Sequence, residues 1–215
     1  MNLIKYFVGN KFLVRSALLL LPFFCRELIF KSVISYRIER PRGFSPTLDP
    51  TLQNQIGAHH EVNDRRLNNR DKVVHAALKI TADYLEYDGE KKDDTDPLSI
   101  LRAETVNSTS FSAFFVATAQ FLLQKNGLDK RYVCKQYVAS RRQNGVNLHD
   151  RYLSPYDGNS PFKSECDIVG IIDLQTGSKR FVDPVLFEKA SMVKIRVEGE
   201  MPPSVEKASP QVSER

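Results

Sequence analysis

A chain of 215 residues with 41% hydrophobic and 27% charged side chains has the balance of an ordinary globular protein, which excludes a collagen-like, repeat-built or wholly disordered molecule. The net charge of +5 is uneven: residues 1–70 hold 11 Lys/Arg against 5 Asp/Glu, a surplus of six, which leaves residues 71–215 at −1. A near-neutral folded part argues against a nucleic-acid partner, which needs basic residues clustered on a folded surface. The basic surplus fits a juxtamembrane segment better.

The N-terminus reads as an anchor or signal segment over residues 1–36. Lys5, Lys11 and Arg15 precede the apolar run 16–25, the order of an export signal. Arg26 and Glu27 follow where a small-residue cleavage site would stand, and the run is short of the roughly 20 residues that span a bilayer. Apolar residues resume at Leu28, Ile29, Phe30, Val33 and Ile34. One helix from about residue 3 to 35, kinked at Pro22, is therefore expected to lie in or across a membrane. The alternatives are an amphipathic helix packed on its own domain, and secretion after cleavage. Residues 37–69 read as a linker, because Pro41, Gly43, Pro46 and Pro50 break helical periodicity. Within it, His59 and His60 suggest no metal site: adjacent side chains diverge and no carboxylate has suitable spacing.

A helix is expected over 71–86 from the stripe Val74, Ala77, Leu78, Thr81 and Leu85, with Asp71 suiting its start. The acidic loop after it (Asp88, Glu90, Asp93, Asp94, Asp96) lacks EF-hand spacing and reads as solvated. The core helix is expected over 109–125, apolar on most sides through Phe111, Phe114, Phe115, Ala117, Leu122 and Leu123, opened by capping residues 107–110 and closed by Asn126 and Gly127. Strands follow over 131–139, 166–173 and 179–183, the last two joined by the Gly-containing loop 174–178. The segment 140–165 reads as a long loop, 192–197 as a short strand, and 199–215 as a disordered tail. Of the cysteines, Cys25 lies in the apolar run, and there is no C-x-x-C motif. Cys134 and Cys166 are either a pair or, more simply, two free buried thiols.

This order, one buried helix and then antiparallel strands over residues 70–198, makes the fold class α+β. The stretch TVNSTSFSAFF (105–115) resembles the nucleophile motif of the transglutaminase-like, papain-like superfamily, in which Cys opens the helix and an aromatic residue follows three positions later. Ser108 stands at the Cys place and Phe111 at the aromatic one. The run CDIVGI (166–171) resembles the family's His-bearing strand with Cys166 in place of His, and RFVDP (180–184) resembles its Asp-Pro motif with Asp183 as third member. Gly127-Leu128 and the segment 145–149 resemble a bacterial branch.

The resemblance implies a core helix on a small antiparallel sheet, with Ser108, Cys166 and Asp183 as degenerate triad positions facing one another. In the family the Cys thiolate is stabilised by the helix terminus and a His, and Asp fixes the His tautomer. An alcohol at 108 is harder to ionise, and a thiol at 166 cannot replace an imidazole near pH 7. The implied protein is catalytically inactive and acts through binding or structure, with a protein or peptide partner in the helix–sheet groove. It is anchored to a membrane with its domain outside the cytoplasm, and no cofactor or metal is expected. The alternative is an active hydrolase or acyltransferase using Ser108 with Asp183 and His149, the base being delivered from the long loop. A third option makes Cys166 a displaced nucleophile. Against these stand plainer roles: Ser108 as helix N-cap, Asp183 as holder of the turn before Pro184, Cys166 as a core residue.

Overall fold

The structure, a computed structural model, describes residues 34–63, 66–143, 146–147, 165–191, 193 and 195–198. The expected N-terminal helix up to residue 33, the loop bearing His149 and the tail 199–215 lie outside the described residues. Among the described residues, no helix is long and apolar enough to cross a membrane.

The fold is α+β. Its first strand, β1 (Ile34–Pro41), overturns the reading of this stretch as helix end and linker. Ile34, Tyr36 and Ile38 alternate with Ser35, Arg37 and Glu39, the period of two that a strand requires. The rest of the expected linker is ordered as well. Asp49 caps α1 (Pro50–Gly57) by accepting from the Leu52 amide at 2.9 Å, and Pro50 sits at the first turn, where its missing N–H costs nothing. Pro50 thus starts a helix where it was read as a breaker. Leu48, Leu52, Ile56 and Leu67 from this region are all buried in the main core. The short helix α2 (His60–Asn63) follows.

The expected helix over 71–86 is α3 (Arg70–Tyr84), capped by Asn69. Strands β2 (Glu86–Tyr87) and β3 (Thr105–Val106) form a two-stranded parallel ladder flanking α4 (Pro97–Ala103). The acidic loop between β2 and α4 uses its carboxylates on the backbone: Asp96 caps α4, Asp88 accepts from the Glu90 amide, and Asp94 from the Asp96 amide. The core helix α5 (Ser108–Lys125) is buried along most of its length. It ends as its sequence implies, at Asn126, with Gly127 at a φ of 67° that favours glycine.

The remaining strands are β4 (Tyr132–Gln143), β5 (Val146–Asn147), β6 (Glu165–Asp173), β7 (Lys179–Val182) and β8 (Val197–Glu198), with α6 (Pro184–Ala190) after β7. The sheet order is β7-β6-β4-β1-β8, with β5 also on β4. Pairing is antiparallel except between β1 and β8. The supposed linker therefore supplies a strand inside the sheet. Strand β4 also runs past residue 139 into the segment read as loop.

The sheet has two distinct faces. On one, Tyr132, Cys134, Val169, Ile171 and Val182 join the core built around α5. On the other, Tyr36, Tyr137, Ala139, Cys166 and Ile168 form a second cluster, with Phe181, Ile195 and Val197 packed against it. Gly170 belongs to this second face, where the Tyr137 and Phe181 rings cross it with centroids 5.9 Å apart. A Cβ at 170 would lie 2.9 Å from an atom of each ring. Gly170→Ala should therefore cost about 1–3 kcal/mol through overpacking, read as a lower urea midpoint with an unchanged slope.

Candidate functional site

The three residues singled out by sequence are positioned by α5, β6 and the start of α6. Ser108 is the first residue of α5 and is half-buried. It is not the N-cap. That role falls to Asn107, whose extended backbone lets its Oδ1 accept from the Ser110 amide at 3.0 Å. Among the described residues, no hydrogen bond joins Ser108 to Cys166 or Asp183.

The first turn of α5 instead meets Asp167. Thr109 Oγ1 donates to Asp167 Oδ2 at 2.7 Å, and Ser112 Oγ donates to the Asp167 carbonyl at 3.2 Å. Arg42, just beyond β1, clamps the same carboxylate through Nε (2.8 Å) and Nη2 (2.9 Å), with Nη2 3.3 Å from Thr109 Oγ1. Hydrogen bonding to Asp167 raises the Arg42 pKa against the opposing effect of burial. Gln136 Nε2 donates to the Thr109 carbonyl at 3.0 Å. These bonds tie the first turn of α5 to β6, β4 and the end of β1.

Cys166 lies on the opposite face, so the expected facing of Ser108 and Cys166 is not what the fold builds. Strand alternation is the reason: with Asp167 turned toward α5, its neighbour must turn away. The Cys166 thiol donates to the carbonyl of its register partner Ala139 at 3.4 Å. Burial pushes its pKa up to about 12, with the nearby Arg141 guanidinium pulling the other way. Cys134 is a second free buried thiol, also pushed to about 12 by burial, on the α5 face. The two belong to different faces of the sheet and are not paired.

Asp183 is fully buried and shares the Cys166 cluster. Its Oδ1 accepts from the Leu186 amide at 3.0 Å, capping α6. Its Oδ2 accepts from Tyr36 Oη at 2.9 Å and from Arg141 Nη2 at 2.7 Å. The Arg141 guanidinium also stands 5.7 Å from the Tyr36 ring centroid. Burial is the strongest single influence on Arg141 and opposes its charge, but electrostatic interactions with Asp183, Tyr36 and Cys166 and the hydrogen bond to Asp183 together raise its pKa well above the ordinary value. Burial, and then the Asp183 charge, raise the Tyr36 phenol well above its ordinary range. The cluster is a buried charge pair with its hydrogen bonds largely met. Its thiol stays protonated at neutral pH and has no imidazole from the described residues beside it to take a proton.

Sequence reasoning missed Tyr36, Arg141, Arg42 and Asp167. A signal for Asp167 was present: it is a lone charge in the otherwise apolar run CDIVGII. Tyr36 and Arg141 carry no such signal, because only their pairing across β1 and β4 brings them together. Away from both clusters, a surface cavity of about 660 Å³ is lined by Gln53, Asn54, Gly57, Ala58, Phe121, Gln124 and Lys125.

No family model, curated protein or solved structure matches this chain.

Proposed function

We propose that this chain is a non-catalytic α+β domain, held at a membrane by the segment before β1, that acts by binding or by structure. The observation that carries the reading is how Asp183 is used. An orienting carboxylate in a nucleophile–base unit must present an oxygen to the base. Both oxygens of Asp183 are already engaged, one by the α6 amide and the other by Tyr36 and Arg141. The order of helix, strand, hairpin and strand still resembles the transglutaminase-like superfamily. Descent from that family with loss of its catalytic constellation accounts for Ser108, Cys166 and Asp183 at matching places along the chain. The facing of Asp167, rather than Cys166, toward α5 is the point on which the resemblance departs from a working site.

The experiment is an assay of the full chain for acyl transfer and for ester and peptide hydrolysis. The expected result is no turnover above background, unchanged by Ser108→Ala. Measurable turnover abolished by Ser108→Ala, or by His149→Ala, would overturn the reading and establish the serine hydrolase alternative.

The membrane part is tested by fractionation. The full chain should sediment with membranes, and a chain beginning at residue 34 should be soluble. A chain beginning at residue 58 should aggregate, because it loses β1 and exposes the β4 edge. Full-length protein that stays soluble without detergent removes the anchor from the proposal. For a protein or peptide partner, the places to look are the groove between α5 and the sheet and the cavity lined by Gln53, Phe121 and Lys125.

A further inference from the structure

Beyond the two clusters around Asp167 and Asp183, a third group of ionisable side chains converges. His59 ends the turn after α1, His60 opens α2, and Asp83 lies in the last turn of α3. One ligand atom from each lies within 4.8 Å of the other two. His59 Nε2 is 3.4 Å from Asp83 Oδ2, and the two imidazole rings are 4.4 Å apart, tilted by 32°. Neighbouring side chains diverge on a strand, but the turn into α2 puts both rings on one side, and packing of α2 on α3 brings the carboxylate that the sequence spacing did not reveal.

We propose that His59, His60 and Asp83 form a surface site for a divalent transition metal of the zinc class. Two imidazole nitrogens and one carboxylate oxygen suit zinc, nickel or copper, whereas magnesium and calcium prefer all-oxygen shells. Three protein ligands leave a coordination position for water. The His59 side chain is 11% exposed and is set against the Tyr84 ring at 5.7 Å, so one ligand is held in place. His60 and Asp83 are 65% and 52% exposed and can turn to close on the ion. Burial, followed by the neighbouring His60, lowers the His59 pKa, with Asp83 and Glu61 pulling the other way. The neutral ring is the form that binds metal. His59 Nδ1 accepts from the Glu61 amide at 3.3 Å. Coordination through Nε2 places the proton on Nδ1, so this long hydrogen bond gives way on binding. Glu61 Oε1 stands 3.6 Å from His60 Nε2, just outside hydrogen-bond distance, and would become an outer acceptor if the exposed ring moved toward it; it also holds Lys79 at 2.9 Å. The bound ion would tie the α1–α2 turn to the end of α3.

The test is calorimetric titration of the tag-free full chain with zinc chloride, paired with thermal unfolding and with the visible spectrum of the cobalt-substituted protein. One saturable site is expected, with a midpoint that rises with zinc concentration. Outer-shell changes alone cost about 10–100-fold in metal affinity, so His60→Ala and Asp83→Asn should each weaken binding at least tenfold. Both residues are exposed, so the metal-free midpoint should stay unchanged. Absence of saturable binding at millimolar zinc overturns the proposal. So does binding that survives both substitutions, because the ion would then be held elsewhere on the chain.

Discussion

Asp183→Ala should destabilise the domain by about 3–5 kcal/mol, the range found when one partner of a buried ion pair is removed. Three losses coincide at this residue. The Arg141 guanidinium keeps its charge in a buried setting without its 2.7 Å partner, the Tyr36 hydroxyl loses its acceptor, and α6 loses its cap. The measurement is equilibrium unfolding in urea. Two further variants separate these causes. Asp183→Asn keeps one acceptor oxygen, enough for the Leu186 amide, removes the charge and turns an NH2 donor toward the Tyr36 hydroxyl, which can rotate to accept; it should cost less than Ala. Pairing Asp183→Asn with Arg141→Met removes both charges and should recover stability relative to Asp183→Ala, since an uncompensated buried charge is worse than none. A loss below about 1 kcal/mol for Asp183→Ala would mean that the cluster is not a structural keystone, and the argument for a carboxylate withdrawn from catalysis would fall with it.

Asp167→Ala is expected to be the next most damaging change, at about 2–3 kcal/mol, in line with hydrogen bonds to charged groups. The residue ties α5 to β6 through Thr109 and ties the end of β1 to both through Arg42. Its cost falls below that of Asp183→Ala because the Arg42 side chain is 23% exposed, and water can solvate part of the stranded guanidinium. A double-mutant cycle with Arg42→Ala should give a coupling of about 1 kcal/mol or more, as for residues in direct contact. Additive effects would show that the Arg42–Asp167 clamp is incidental. The same geometry bears on reconstructing a triad. A His placed at 166 would enter the second cluster beside Arg141, on the face away from α5, and would not meet a Cys at 108.

The elements legible from sequence were those whose signals are local. The stripe of α3, the dense apolar run and Asn-Gly end of α5, and the hairpin between β6 and β7 were each read near their actual bounds. Where local signals pointed both ways, the reading failed. Pro50 is a breaker inside a helix and a starter behind an N-cap, and only the Asp49 side chain accepting from Leu52 decides between them. The Asp183-Pro184 pair repeats that arrangement at α6, a helix that the motif reading passed over.

The sequence alone determined the α+β class, the identity of the buried helix and the chain order of the motif residues, because helix and strand periods are written in neighbouring positions. The tertiary structure decided which face each motif residue occupies. Strand β6 is buried on both sides from Cys166 to Asp173, so no alternation of polar and apolar residues reveals which side meets α5. That choice is made by partners distant in the chain: Arg42 and Thr109 draw Asp167 to one face, while Tyr36, Arg141 and Asp183 surround Cys166 on the other. A shift of a single residue in that strand separates a facing nucleophile–base pair from two unrelated clusters, and only the register between strands sets it.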